Sequence, residues 1–421
     1  MSRLHCILTP VGSAGDVHPY IGIGRRLRQR GHDVTIITSD LFKEACERSD
    51  LNFLGTWTKE EFDRVIRKPD LWHPRRGVKL VLRTTCEHLQ PLYDKIASVY
   101  EAGRSILVGR PLSFAGRVFE EKHDAPAATL HLAPCVFRSD FEQPIMVPGR
   151  DMSRWPRWCK RTVWWLADKL FIDPHVVPLV IAWRAGLGLE PVRRPFKQWM
   201  HSPQGVVGLF PDWFGPPQPD WPNPLHLTGF PLFDEAGHHE LDPRLEAFLN
   251  EGDAPIAFTP GSANVHAKKF FLAAIEASAM LGRRALLLTK YREQLPVELP
   301  SHVLHVSYAP FSEVIPRCAA FVHHGGIGTC AQGLAAGVPQ FIMPLGFDQP
   351  DNAMRLKRLG VGSWLVPRRF KGKRVAAALR ELLTSPLTAE AAKQCAVRMQ
   401  SMNALDRTCD AIEQITAAKL G

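Results

Sequence analysis

The stretch AAFVHHGGIGTCAQGLAAGVPQFIMPLGFDQPDN, Ala319 to Asn352, reads as an apolar strand, a glycine turn, a helix, a second short strand and a polar loop. Strands joined by a helix of that kind pair in parallel, because the crossover returns the chain to the same edge of the sheet. The 30 residues from Cys318 to Phe347 contain no Asp, Glu, Lys or Arg, which raises a membrane span as an alternative. Six glycines, two prolines and the pair His323-His324 interrupt them, whereas a span needs about 20 consecutive apolar residues. The stretch is therefore interior α/β core.

Outward from this unit the same grammar repeats. Ile256 to Thr259, Ala285 to Thr289, Val303 to Val306, Ala319 to His323 and Gln340 to Met343 are short apolar runs separated by helical stretches, which predicts a parallel sheet. At the front, Leu4 to Val11, a glycine turn, a helix-period stretch from His18 to Arg30, Gly31 and Val34 to Thr38 predict a second such sheet. Between them lies PDWFGPPQPDWPNPLHLTGFPLF, Pro211 to Phe233, where proline forbids helix interiors and central strands, and the domain boundary is expected there. A chain of 421 residues accommodates two or three domains of roughly 100–200 residues each.

Composition narrows the class further. Hydrophobic residues at 45% and charged residues at 22% exclude global disorder and a fibrous repeat. With 52 Lys plus Arg against 42 Asp plus Glu the net charge is +10, which favours acidic partners such as phosphates, anionic lipid or nucleic acid, although no nucleic-acid-binding motif is present. Nine scattered cysteines without a CxxC pair indicate neither a disulfide framework nor a zinc ribbon, and a reducing cytoplasm fits. MSRLHCILTPVG enters a strand pattern directly, without the features of a secretory signal. The segment WPRWCKRTVWWLADKL, Trp155 to Leu170, mixes tryptophan with Arg and Lys; it is either a helix packed on its own domain or a lipid-facing element on the inner membrane face.

The candidate chemistry sits in two loops. Gly325, Gly326 and Gly328 let a backbone approach a ligand closely, and a helix starting near Gly328 offers unpaired N–H groups and a positive dipole end to a phosphate. His324 at the strand end can donate to the same oxygens or be a satisfied buried histidine, and His323 reads as packing. Gly326, Gly328 and Ala331 also form G-x-G-x-x-A with Asp348 20 residues beyond Gly328, the dinucleotide-binding pattern, but it comes late in its sheet rather than opening it. In the front loop GSAGDVHP, Gly12 to Pro19, Asp16 and His18 are the titratable groups. Asp16 reads either as a general base for an alcohol, worth about 10²–10⁴ in rate, or as a helix N-cap before Val17. Metal ligation is not indicated: D-x-D and H-E-x-x-H are absent, His238-His239-Glu240 reads as solvated loop, and Asp348 with Gln349 fits a sugar hydroxyl better than Asp348 with Asp351 fits a metal. Neither a P-loop nor a G-x-S-x-G elbow occurs.

Taken together, GSAGDVHPYIGIGRRLRQRGHDVTIIT near the front and YAPFSEVIPRCAAFVHHGGIGTCAQGLAAGVPQFIMPLGFDQPDN near the back resemble the family 1 sugar-nucleotide glycosyltransferases of GT-B fold, in order and separation, over nearly the whole chain. FKQWMHSPQGVVGLFPDWF (Phe196 to Phe214) and WPNPLHLTGFPLFD (Trp221 to Asp234) are most similar to the bacterial rhamnosyltransferases of rhamnolipid synthesis. The resemblance implies two Rossmann-like parallel-sheet domains facing across a cleft: an acceptor-binding domain 1–215, a Pro-rich linker 216–240, a nucleotide-sugar domain 241–405, and a helix 406–421 packing back on the first domain. It implies Asp16 as general base, His18 at the acceptor, Tyr308 against the nucleotide base, and His324, Gly326, Gly328, Thr329, Gly261, Ser262 and Ser13 around the donor diphosphate. Gln332 falls at the ribose and Asp348 with Gln349 at the sugar hydroxyls. Gln332 stands where many members carry Glu, which leaves uridine and thymidine both open, and the His18 position varies among members. The reaction implied is an inverting transfer of a hexose, rhamnose included, from a UDP- or dTDP-sugar to a hydroxyl of a lipid-like or other hydrophobic small molecule, with no metal and no cofactor beyond the sugar nucleotide. A catalytically silent sugar-nucleotide-binding subunit and an NAD(P)-linked oxidoreductase are the competing readings.

Overall fold

In a computed structural model, residues 3–73, 76–147, 149–192, 195–234 and 241–420 are described. His238, His239 and Glu240 lie outside them.

Thirteen strands form two sheets among the described residues. The first contains β1 (His5–Thr9), β2 (Asp33–Thr38), β3 (Asn52–Gly55), β4 (Ser105–Gly109), β5 (Ala127–His131), β6 (Val206–Gly208) and β7 (Leu225–Leu227), in the order β3-β2-β1-β4-β5-β6-β7. The second contains β8 (Ile256–Thr259), β9 (Ala285–Leu288), β10 (Val303–Val306), β11 (Ala320–His323), β12 (Gln340–Ile342) and β13 (Gly362–Trp364), in the order β10-β9-β8-β11-β12-β13. Every pairing is parallel. β1, β5, β8, β9, β11 and β12 are buried along their whole length, as helices on both faces of a parallel sheet require.

In both sheets the order reverses at one place, between β1 and β4 and between β8 and β11, and the loops leaving those strands point into the same crevice. The segment expected to be linker supplies β7, so the first sheet runs on to Leu227, past residue 215. Proline tolerates this because β7 is the edge strand and exposes one side of its ladder. Phe214, Trp221 and Phe230 from the same segment are buried in the core.

The first helix, Ala14–Gln29, begins four residues before the apolar periodicity does. Ser13 is its N-cap, which corrects the capping alternative for Asp16: Asp16 is the third helical residue, and its carboxylate folds back on Ser13. The last helix, Ala404–Leu420, lies on the first domain. Asp406 takes Arg26 in a fork at 2.6 and 2.9 Å and Arg30 at 2.7 Å, so its carboxyl is held well below the usual range by those hydrogen bonds. Glu413 meets His32 at 3.0 Å, and the Thr228 and Thr408 hydroxyls meet at 2.8 Å.

A second set of contacts joins the domains beside the crevice. The Ile145 N–H donates to Asp351 Oδ1 at 3.0 Å, Arg355 donates to Asp351 Oδ2 at 2.7 Å and to the Phe214 carbonyl at 2.9 Å, and Arg358 reaches Glu142 at 2.5 Å. Asp351 is thereby committed to the domain junction and is not paired with Asp348. The largest apolar cluster likewise runs from Leu8 and Tyr20 through Ile327 and Leu334 to Ile412.

Candidate active site

A cavity of about 600 Å³ opens between the two sheets at their reversal points. Ser13, Asp16 and His18 line it from the first domain; Gly261, Ser262, Tyr308, His324, Gly326, Gly328, Thr329, Gln332, Asp348 and Gln349 line it from the second. These residues therefore reach one space, although they come from segments up to 336 positions apart, Ser13 to Gln349; Gly325 does not line it and packs instead toward Ile342 and the Gln349 carbonyl.

On the first-domain side, Asp16 Oδ2 accepts from the Ser13 N–H at 2.8 Å and from the Ser13 hydroxyl at 3.1 Å. Arg110, the residue after β4, holds Asp16 Oδ1 at 2.9 Å and also donates to the Val11 carbonyl. A carboxylate has about four acceptor sites, so these three contacts leave one, on Oδ1. No Cβ fits at Gly12: it would fall on the Asp16 carboxylate and within 2.8 Å of Arg110 Nη1, at a φ of +135°. Sequence reasoning missed Arg110, because an arginine after a strand carries no motif. Adjacency of β1 and β4 alone brings it to Asp16.

On the other side, the helix Ile327–Ala336 starts behind Gly326 and aims its first turn into the cavity. Its Gly328 approaches the first helix closely: a Cβ there would lie 3.9 Å from the Gly15 carbonyl. His324 stands between two glycines. A Cβ at Gly261 would come within 2.7 Å of its ring, and one at Gly326 within 2.6 Å. The glycines are thus needed for the imidazole as much as for a ligand. Burial pushes His324 down to about 4, so the ring is neutral near pH 7 and offers one N–H; its buried Nδ1 has no hydrogen-bond partner in the structure.

His323 is structural, as expected. Its Nε2 pairs with Gln340 Oε1 at 2.9 Å and its Nδ1 accepts from the Gly325 N–H at 3.0 Å, which assigns the proton to Nε2. Asp348 Oδ2 accepts from Asn352 at 2.7 Å and from the Ile327 N–H at 3.2 Å. Burial first, and then the negative charge of Asp16 across the cavity, push the Asp348 carboxyl up to about 6. Gln349 uses its carbonyl to close the preceding loop, accepting from the Leu345 N–H at 2.8 Å, so its amide NH₂ is the part left to serve a ligand. The Tyr308 hydroxyl donates to the Asp234 carbonyl at 2.8 Å, and the ring is 49% exposed at the cavity wall. His18 meets Phe42 and Phe233 edge to face.

A further wall escaped the sequence reading altogether. Phe62, Ile66, Leu71 and Trp72 from the first domain pack with Phe347 from the second, Trp72 and Phe347 edge to face at 5.9 Å. Thr58 and Glu61 form a capping box that announces the helix Lys59–Ile66 in the sequence, but nothing local says that its apolar face borders a cleft.

Residues 6–126 match the glycosyltransferase family 28 N-terminal domain, and residues 285–412 match the erythromycin biosynthesis protein CIII-like C-terminal domain. The chain is a GT-B glycosyltransferase. Among curated proteins this enzyme is similar to an O-mycaminosyltylonolide 6-deoxyallosyltransferase of Streptomyces fradiae, 29% identical over 97% of this chain and 96% of the other. A sterol 3-beta-glucosyltransferase of Komagataella phaffii is 24% identical over 95% of this chain and 34% of its own. Among solved structures the glycosyltransferase superposes on the glycotransferase of kitacinnamycin with a TM-score of 0.76 at 20% identity, covering 99% of this chain and 100% of that one. A spinosyn rhamnosyltransferase complexed with thymidine diphosphate gives 0.68 at 16% identity over 97% and 100%. The relatives thus point to antibiotic glycosyltransferases rather than specifically to those of rhamnolipid synthesis. No helix among the described residues is long and apolar enough to cross a membrane.

Proposed function

We propose that this glycosyltransferase moves one 6-deoxyhexose, rhamnose being one candidate, from a thymidine diphosphate carrier to a hydroxyl of a large apolar acceptor, with inversion at the anomeric carbon. The observation that carries the reading is the single cavity in which Asp16 faces His324, Asp348 and the start of a helix across the two domains. The acceptor oxygen attacks the anomeric carbon from the Asp16 side. Its proton passes to Oδ1, the oxygen with an acceptor site left, while Arg110 and Ser13 hold the carboxylate in place. The bond from the anomeric carbon to the diphosphate oxygen breaks on the opposite side, and the departing charge meets the neutral His324 N–H and the N–H groups at Gly328 and Thr329. Asp348 accepts from the sugar hydroxyls and the Gln349 amide donates to them. The apolar wall of Phe62, Ile66, Leu71 and Trp72 receives an acceptor with a broad hydrophobic face.

Thymidine and a deoxy sugar are favoured over uridine and a fully hydroxylated one by the named activity of the Streptomyces fradiae relative and by the thymidine diphosphate in the spinosyn neighbour. The test incubates the purified enzyme with dTDP- and UDP-linked sugars, dTDP-rhamnose included, and with macrolide, sterol and hydroxy-fatty-acid acceptors, and follows nucleoside diphosphate release and product mass. Turnover with dTDP-deoxysugars and a macrocyclic or polycyclic alcohol is expected. Preference for UDP-sugars, or for the fatty acid over ring systems, overturns the donor or the acceptor half respectively.

A further inference from the structure

The helix Arg157–Ala167 is packed the wrong way round for a soluble protein. Its one buried residue is a lysine, Lys160, whose ammonium donates to the Phe141 and Ser153 carbonyls at 2.9 Å each, while Trp158 and Trp165 face outward. Trp158 is 69% exposed, Trp155 49% and Trp165 45%, with Leu166, Leu170, Leu179, Phe141 and Met146 exposed nearby.

The outward face has a regular composition. Trp158, Arg161, Trp165 and Lys169 recur at helical spacing and alternate aromatic with cation, and Lys169 sits 4.9 Å over the Trp165 ring, as Arg157 sits 3.8 Å over Phe141. Between residues 150 and 170, Arg150, Arg154, Arg157, Arg161 and Lys169 are exposed against a single exposed acid, Asp151. Asp140 is engaged by Arg161 at 2.9 Å, and the buried Asp168 by Arg138. Burying this face against another protein would strip water from five cations at the centre of the contact, where interfaces are depleted of charge. At a bilayer the same cations meet headgroup phosphates while the rings sink to the acyl boundary.

We infer that the Trp155 to Leu170 face docks the enzyme on an anionic lipid surface. The inference is independent of sugar, nucleotide and acceptor, because none of these residues borders the cavity. Trp164 is half-buried under the Arg138 guanidinium at 4.5 Å, so Trp158 and Trp165 are the helix tryptophans that face outward.

The experiment is co-sedimentation of the full chain with phosphatidylcholine vesicles, with and without phosphatidylglycerol, at low and high salt. Binding to the anionic vesicles and its loss in high salt are expected. Trp158→Ser with Trp165→Ser weakens it about tenfold. Arg154→Glu, Arg157→Glu and Arg161→Glu together weaken it about a hundredfold or more, since each cation near an anionic surface counts separately. All these side chains are exposed, so an unchanged Tm is expected and shows that the fold persists. Failure to bind either vesicle, or equal binding by the tryptophan variant, overturns the proposal. So does a self-associated wild type that the variant converts to monomer without any lipid binding, which makes the face a contact between copies.

Discussion

Gly261→Ala tests the site at its tightest point. Two costs are built into this substitution. Gly261 has φ +92°, a left-handed conformation that costs an alanine roughly 1–2 kcal/mol, and the new Cβ would stand 2.7–2.9 Å from Cε1, Nε2 and Nδ1 of His324, closer than carbon and ring atoms tolerate. The ring must therefore leave its place, and with it would go the hydrogen bond proposed from His324 to the donor diphosphate. A hydrogen bond to a charged group contributes about 1.5–3 kcal/mol, which converts to a loss of about 10- to 150-fold in affinity for a nucleoside diphosphate. Gly282→Ala is the control: it has φ +60° and nothing within 4 Å of a Cβ, so it carries the backbone cost alone. The assay is calorimetric titration of thymidine diphosphate into each protein beside a thermal melt. Both variants are expected to melt a few degrees lower, and only Gly261→Ala to lose affinity. Equal, undiminished binding by the two would refute the placement of the diphosphate against His324.

Asp16→Asn is expected to cut kcat by about 10²–10⁴ while leaving nucleoside diphosphate affinity intact, and near-normal turnover in steady-state kinetics would reduce Asp16 to its structural contacts with Ser13 and Arg110. Asp348 makes a pH prediction. Folding raises its carboxyl from 3.8 to about 6, so the folded protein holds that proton more tightly than the unfolded chain: the group opposes folding above about pH 6 and ceases to below about pH 4. Asp348→Asn should accordingly raise Tm at pH 8 and not at pH 4. It should also remove any fall in sugar-nucleotide affinity between pH 7 and pH 5 while sparing the free nucleoside diphosphate, as parallel titrations would show. Asp406 has the opposite sign. Its depressed carboxyl contributes stability that is present above its ordinary 3.8 and lost as acid passes through the lowered value, so Asp406→Asn should lower Tm at pH 7 and matter progressively less in melts below pH 4.

Much of this enzyme is local and therefore readable in one dimension. Five of the six strands of the second sheet were legible almost to the residue, β8, β9, β11 and β12 because a strand buried on both faces has to be apolar along its length, whereas the short edge strand Gly362–Trp364 was not read. The glycine turn after His323-His324 and the loop before Asp16 were legible because close backbone approach and a helix start demand particular residue types. The helix after β1 was read as starting too late, since its first three residues, Ala14 to Asp16, line the cavity and carry no apolar repeat. β7 was hidden among prolines that an edge strand can bear. What only the tertiary structure decided is which distant side chains share a space. Arg110 meets Asp16 because β4 lies beside β1, Trp72 meets Phe347 because the domains close on each other, and Asp351 is withdrawn from the cavity because Ile145 and Arg355 claim it. The same holds for the tryptophan segment, whose periodicity permits either face to be buried. The hydrogen bonds that draw Lys160 inward settle that Trp158 and Trp165 look outward. Adjacency across a sheet and the rotation of a helix about its own axis depend on contacts made between positions far apart in the chain, and no window of sequence contains both partners.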